Sequence, residues 1–315
     1  MKIVLLDTAT WGDDIDIAPL LSVGEVTEYK STAREEVMDR IRDAQVVVLN
    51  KVNLKVFDLS LAKELRLICV SSTGYDTVDT EVCRRLGIAL YNVPDYCADS
   101  VSQLTAAMAL SLVSHLTEYR TCVHSGTYTQ VGIANRLSPV FHEMSSLTWG
   151  VVGGGSIGSR VAQIASALGA HVLLCRRKKD DRYQQVDIDE LCRRSDIISL
   201  HIPLTDETRG LISRERIATM KKGAVLINVA RGAITDEEAI ADAILDGSLG
   251  GFGCDVYSKE PFGADHPFSR LLTCDNVCLT PHMSWGSVEA RARCMETIAK
   301  NVRAFENGDS TNRIV

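Results

Sequence analysis

A chain of 315 residues with 45 % hydrophobic and 24 % charged side chains is ordinary for a globular protein and long for a single core, so two domains are expected. The formal charge of −7 argues against a nucleic-acid or anionic-membrane partner, and ten scattered cysteines without a C-x-x-C pair fit a reducing cytoplasm. No secretion signal is expected, because Asp7 and Asp13-Asp14 interrupt the short apolar start, and the apolar run over 104–116 falls short of the ~20 residues a bilayer requires.

The first hundred residues alternate strands and helices. Apolar runs predict strands over 3–6, 26–29, 46–49, 65–70 and 88–91, with helices over 34–44 and 78–86. This pattern predicts an α/β domain with a mostly parallel sheet. Two loops follow strand ends, where open sheets bind ligands: Asn50-Lys51, and the turn containing Thr73, Gly74 and Tyr75. Lys51 taken alone also fits a solvated surface lysine, whereas a glycine turn of unengaged N–H groups after a buried strand suits a carboxylate.

At Asn92-Val-Pro-Asp the pattern changes. Ser100-Val-Ser-Gln103 has the form of a capping box opening a long helix to about residue 120, and the crossing into a second domain is placed here. Residues 121–146 show little periodicity and are broken by Gly126, Gly132 and Pro139, which suits an arm wrapped on the surface or on a partner subunit.

The stretch from 147 to 177 reads as strand, tight turn, helix and strand. Gly153, Gly155 and Gly158 have G-x-G-x-x-G spacing, Ser156 and Ile157 lie between them, and Val161, Ile164, Ala165 and Leu168 recur at helical spacing. Such a turn lets the backbone approach a pyrophosphate, whose charge rests on N–H groups at the positive end of the helix. At the end of the second strand stand Arg176, Arg177 and Lys178. An acidic residue there would hold the ribose hydroxyls of NAD, so a basic run points to the 2′-phosphate of NADP; Asp180 and Asp181 follow closely, and a solvated charged face is the competing reading.

Three further strand ends and one short strand carry polar residues: 197–200 runs into His201-Ile-Pro203, 225–229 into Ala230-Arg231, 251–254 into Asp255, and 277–279 into Thr280-Pro-His282. In a parallel sheet these ends share the edge with the glycine turn, so Arg231 and His282 should converge there. A helix capped by Thr235, with Glu238 three residues on and closed at Asp246-Gly247, provides the crossover between the Arg231 and Asp255 strands. A metal at Cys274, Cys278 and His282 is disfavoured because the spacing straddles a strand and Pro281 and lacks a fourth ligand.

The glycine turn, the His201-Ile-Pro-Leu-Thr-Asp-Glu-Thr-Arg-Gly segment, Asn228-Val-Ala-Arg-Gly-Ala, Gly253-Cys-Asp-Val-Tyr-Ser-Lys-Glu-Pro and Thr280-Pro-His-Met-Ser-Trp together resemble the successive signatures of the D-isomer-specific 2-hydroxyacid dehydrogenases over nearly the whole chain. Asn50-Lys51, Asn92-Val-Pro-Asp-Tyr-Cys and Trp285 followed by Glu289-Ala-Arg are most similar to the glycerate dehydrogenase, or hydroxypyruvate reductase, group. The resemblance implies two doubly wound parallel-sheet domains, a Rossmann-type nucleotide domain (99–282) inserted into a flavodoxin-like substrate domain (1–98 and 283–315), with the site between them and dimerisation through the nucleotide domain. It places the catalytic set on Arg231, Glu260 and His282. Cofactor contacts fall on Gly153, Gly155, Ser156, Ile157, Gly158, Arg176, Arg177, Lys178, His201, Pro203, Thr208, Val229, Ala230 and Asp255, the last as nicotinamide-carboxamide acceptor. Substrate contacts fall on Lys51, Thr73, Gly74, Tyr75, Arg231 and Trp285. Most relatives carry aspartate where this chain has Arg176, so NADP is expected in preference to NAD. The implied reaction is hydride exchange between the nicotinamide and a small 2-keto acid such as hydroxypyruvate or glyoxylate, with His282 as proton donor and Glu260 orienting its ring. The same fold also serves in nucleotide-sensing corepressors, a binding function with little turnover.

Overall fold

The computed structural model describes residues 1–315 and divides into two compact units, Met1–Cys97 with Gly286–Val315, and Ala98–Trp285. In the first unit, β1 (Lys2–Leu5), β2 (Glu25–Glu28), β3 (Val46–Leu49), β4 (Leu67–Val70) and β5 (Ala89–Tyr91) form an all-parallel sheet of order β2-β1-β3-β4-β5. β3 and β4 are Val-Val-Val-Leu and Leu-Ile-Cys-Val with every side chain inaccessible, as central strands covered on both faces require. The last residues return to this unit, where Ile314 N–H donates to the Leu90 carbonyl at 2.8 Å and lines the edge of β5.

The second unit carries a seven-stranded parallel sheet: β6 (Thr148–Val152), β7 (His171–Cys175), β8 (Gln184–Gln185), β9 (Ile197–Leu200), β10 (Ala224–Asn228), β11 (Leu249–Cys254) and β12 (Val277–Leu279), in the order β12-β11-β10-β9-β6-β7-β8. The order reverses between β6 and β9, which pair directly from Trp149↔Ile197 to Val152↔Leu200. A crevice at the carboxyl ends of these two strands is where open α/β sheets bind ligands. No helix is long and apolar enough to cross a membrane.

Several local expectations are corrected. Ser100 caps nothing: the helix starts at Ala98, and the Ser100 hydroxyl donates to the Ser284 carbonyl at 2.5 Å. That helix ends at Val113, not near 120, because His115 adopts φ 51 and a second helix, Leu116–His124, begins after it. The helix before β11 is capped by Asp236, whose carboxylate accepts from Ala239 N–H at 2.9 Å; Thr235 instead turns its hydroxyl to the Gly232 carbonyl. Over 34–44 only Val37–Ile41 is α-helical, preceded by a tight 3-10 turn at Arg34–Glu36.

Candidate functional site

The glycine turn lies at the β6 to helix junction, and its three glycines answer to different constraints. Gly153 has φ 104, and a Cβ there would lie 2.3 Å from the His201 carbonyl oxygen; a Cβ on Gly158 would lie 2.0 Å from the Gly153 carbonyl oxygen. Both are therefore glycine because the turn, the β9 end and the helix Ser156–Ala167 press together. A Cβ on Gly155 would meet nothing within 4 Å. Gly155 precedes the helix without a side-chain cap, and the N–H groups of Gly155, Ser156 and Ile157 enter no internal hydrogen bond, so the first turn presents a cluster of donors suited to a pyrophosphate.

Beneath the turn, the His201 side chain is partly buried, with its Nδ1 shut off from solvent and without a hydrogen-bond partner. Its Nε2 is 2.9 Å from Ser199 Oγ, which accepts from Trp149 Nε1–H at 3.0 Å, and burial holds the ring's pKa down to about 3. His201 is thus a neutral packing element with its carbonyl set against Gly153. Farther along this loop, the Thr208 hydroxyl donates to the Pro203 carbonyl and accepts from Thr205 N–H, both at 2.7 Å, closing the turn.

The basic run after β7 is paired with carboxylates. Arg176 Nη1 donates to Asp180 Oδ2 at 2.9 Å, Arg177 reaches Glu207 at 2.8 Å and Lys179 reaches Asp181 at 2.9 Å. The Arg177 and Lys179 pairs are highly exposed and contribute little. Arg176 is different: its side chain is only 17 % exposed and lies across Gly154, where a Cβ would fall 2.6 Å from Arg176 Cδ.

The ends of β10, β11 and β12 build the other half of this edge. Asn228 is buried; its Nδ2 donates to the Arg231 carbonyl at 2.9 Å and its Oδ1 accepts from Ala230 N–H at 3.1 Å, which fixes the loop carrying Val229, Ala230 and Arg231. Asp255 is fully buried, and its carboxylate accepts from Thr280 Oγ1 at 2.5 Å, Met283 N–H at 2.9 Å and Ser284 N–H at 2.9 Å. Those donors flank His282, which holds φ 54, so one carboxylate shapes the loop that presents the histidine. His282 Nδ1 is 2.6 Å from Glu260 Oε2, while Glu260 Oε1 accepts from Tyr257 N–H at 3.0 Å. Tyr257 in turn donates its hydroxyl to the Thr280 carbonyl at 2.8 Å, and Trp285 Nε1–H donates to the His282 carbonyl at 3.0 Å. The Glu260 loop is anchored from behind by Glu237, which accepts from Ser258 N–H at 2.8 Å and lies 3.0 Å from His266 Nε2. Residue types alone do not signal this anchoring role for Glu237 and Asp255.

In the first unit, Lys51 and the Thr73 turn follow β3 and β4. Asp7, buried at the end of β1, accepts from the N–H groups of Asn50 at 2.9 Å, Lys51 at 2.6 Å and Val52 at 3.0 Å. Burial pushes its carboxyl above the usual range, against these donors and the Lys51 charge. Thr73 is held through its hydroxyl to the Val93 carbonyl at 3.0 Å and its own carbonyl from Asn92 Nδ2–H at 2.7 Å, while the N–H groups of Thr73, Gly74 and Tyr75 make no internal hydrogen bond. The turn is thereby fixed with its donors outward, as an anion cradle requires.

A doubly wound parallel sheet with an uncapped glycine turn at its switch point defines a dinucleotide-binding α/β protein, and a hydrogen-bonded histidine–glutamate pair lies on the same edge. Residues 106–284 match the family model described as D-isomer specific 2-hydroxyacid dehydrogenase, NAD binding domain. The chain is 34 % identical to the hydroxypyruvate reductase of Blautia hydrogenotrophica, over 99 % of both chains, and 32 % identical to the glycerate dehydrogenase of Methylorubrum extorquens, over 99 % of this chain and 98 % of that one. A D-lactate dehydrogenase from Aquifex aeolicus, solved with NAD and lactic acid, superposes with a TM-score of 0.87 at 30 % identity, covering 100 % of this chain and 99 % of that one. The chain belongs to the D-isomer-specific 2-hydroxyacid dehydrogenase family, an oxidoreductase family with a nicotinamide-dinucleotide domain.

Proposed function

We propose that the protein reduces a small 2-keto acid, hydroxypyruvate or glyoxylate, to the D-2-hydroxy acid, with NADPH preferred over NADH. The observation that carries the reading is the 2.6 Å contact between His282 Nδ1 and Glu260 on the sheet edge that bears the glycine turn. Reduction adds a hydride to the carbonyl carbon and a proton to its oxygen; the bound nicotinamide supplies the hydride. Glu260 engages Nδ1 and so directs the proton chemistry of His282 to Nε2, the roles of the two nitrogens being inferred from this hydrogen bond. Arg231 grips the carboxylate or keto oxygen in a planar fork. Thr73, Gly74 and Tyr75 offer N–H groups suited to a carboxylate, and Lys51 adds positive charge. Gly153, Gly155, Ser156, Ile157 and Gly158 hold the pyrophosphate, Arg176 with Arg177 and Lys178 the adenosine 2′-phosphate, and Pro203, Thr208, Val229 and Ala230 the nicotinamide side, while His201 and Asp255 act from behind, His201 against Gly153 and Asp255 on the loop that carries His282.

The same reading takes the working form as a homodimer. Supporting it, Ile133, Leu137, Val140 and Phe141 of the irregular arm are 63, 80, 73 and 52 % exposed, and the arm lines a mostly apolar groove of about 420 Å³. The decisive experiment follows nicotinamide absorbance with a panel of keto acids. Hydroxypyruvate or glyoxylate should lead, and His282→Ala should lower turnover roughly 10²–10⁴-fold while NADPH affinity stays intact. Near wild-type rates in His282→Ala would remove the proton donor, and a tenfold higher efficiency with pyruvate would overturn the substrate assignment.

A further inference from the structure

The loop joining β7 to β8 is built as a unit. The side-chain amide of Gln185 braces it at two points, donating from Nε2 to the Lys178 carbonyl at 2.9 Å and accepting through Oε1 from Asp180 N–H at 3.1 Å. Within it the Asp180 carboxylate is only 6 % exposed and meets two arginines. Arg182 grips it with a fork, Nε to Oδ1 at 2.9 Å and Nη2 to Oδ2 at 2.7 Å, whereas Arg176 contributes one N–H to Oδ2 at 2.9 Å. Arg176 is also the basic side chain that lies on the glycine turn, across Gly154. Its neighbours Arg177 and Lys179 are paired with Glu207 and Asp181 at side-chain exposures of 75–87 %, where water screens the partnership.

We propose that Asp180 and Arg182 form a counter-ion pair that sets how strongly Arg176 engages the 2′-phosphate of the cofactor, and hence the preference between NADPH and NADH. The inference rests on the reading of Arg176 as a 2′-phosphate contact. A carboxylate bonded to Arg176 acts twice against a phosphate: it occupies a guanidinium donor, and its charge repels the incoming dianion. Arg182 opposes both effects, because its fork satisfies Asp180 and leaves Arg176 as the carboxylate's lesser partner. Substitutions at 180 and 182 should therefore move phosphate recognition in opposite directions, and adenosine ligands without the 2′-phosphate should register neither.

The test measures affinity without turnover: nicotinamide fluorescence titration with NADPH and NADH, and calorimetry with adenosine 2′,5′-bisphosphate against AMP. Asp180→Asn should tighten NADPH and the bisphosphate roughly three- to tenfold, and Arg182→Gln should weaken them by a similar factor. NADH and AMP should stay within about twofold in both variants. Arg176→Asp separates the two levels of the argument. If it leaves the NADPH to NADH ratio unchanged, the phosphate reading of Arg176 fails. If it collapses the ratio while Asp180→Asn and Arg182→Gln leave it in place, or if Asp180→Asn weakens NADH, the counter-ion role of Asp180 is overturned. Should Asp180→Asn fail to fold, Arg182→Gln with weakened NADPH and intact NADH supports the proposal, and unaltered NADPH refutes it.

Discussion

Replacing Asp255 with asparagine tests whether this carboxylate shapes the histidine loop or serves the cofactor. Its two oxygens take three donors, from Thr280, Met283 and Ser284, in a site without solvent access. An asparagine keeps one carbonyl, which can still accept from Thr280 Oγ1 and Met283 N–H. Its amide nitrogen then faces Ser284 N–H, donor against donor. Orphaning that N–H costs about 1–3 kcal/mol, and turning two charge-assisted bonds into neutral ones costs about 0.5–1 kcal/mol each. The sum of about 2–5 kcal/mol is a large part of the 5–15 kcal/mol that holds a typical domain folded. The urea midpoint followed by tryptophan fluorescence should fall accordingly. Turnover should fall more than NADPH affinity, because His282, with φ 54, lies between Thr280 and Met283, whose bonds to residue 255 are weakened, and next to Ser284, whose bond is lost. A midpoint within about 1 kcal/mol of wild type together with a large loss of nicotinamide affinity would refute the brace and favour Asp255 as a carboxamide acceptor.

Two glycine substitutions should separate fold from ligand. Gly158→Ala places a Cβ 2.0 Å from the Gly153 carbonyl oxygen and should destabilise by roughly 1–3 kcal/mol or more in thermal melts, whereas Gly155→Ala meets nothing within 4 Å and should leave the melting curve near wild type while weakening NADPH. Equal melting temperatures for the two variants would refute this division. His201 should make the protein acid-sensitive: burial depresses its pKa to about 3 from an unfolded value near 6.5, so the unfolded chain binds the proton first. That stability is fully present above about pH 6.5 and is lost at roughly 1.4 kcal/mol per unit as pH falls toward 3. His201→Gln should flatten stability against pH between 5 and 6.5, and an unaltered slope would show that His201 is not the group responsible.

The sequence by itself determined the alternation of strands and helices, the largely parallel sheets and the strand ends that carry the glycine turn, Arg231, Asp255 and His282. Buried parallel strands need continuous apolar runs, and Val46–Leu49 and Ile197–Leu200 lie where those runs predict, as does the half-buried edge strand Val277–Leu279. The glycine turn was legible for a similar reason, since backbone approach and φ above zero restrict residue choice within six positions. β8 was not: Gln184-Gln185 has no apolar signature and is a strand only because β7 lies beside it. Nor was the break at His115, where φ 51 interrupts a run that periodicity alone continues.

Partnerships were the part that only tertiary structure decided. Asp7 binds the loop 43 to 45 residues away, and Asp255 organises donors 25 to 29 residues on. The basic run illustrates the boundary most clearly: Arg176 and Asp180 are both visible in the sequence, but whether a guanidinium faces a carboxylate, a glycine turn or water depends on rotamers and loop closure. In this protein it lies across Gly154 and bonds Asp180 at once. Burial and backbone preference act over a few consecutive residues and are written there, whereas a hydrogen bond between distant side chains exists only after the sheet has set their register.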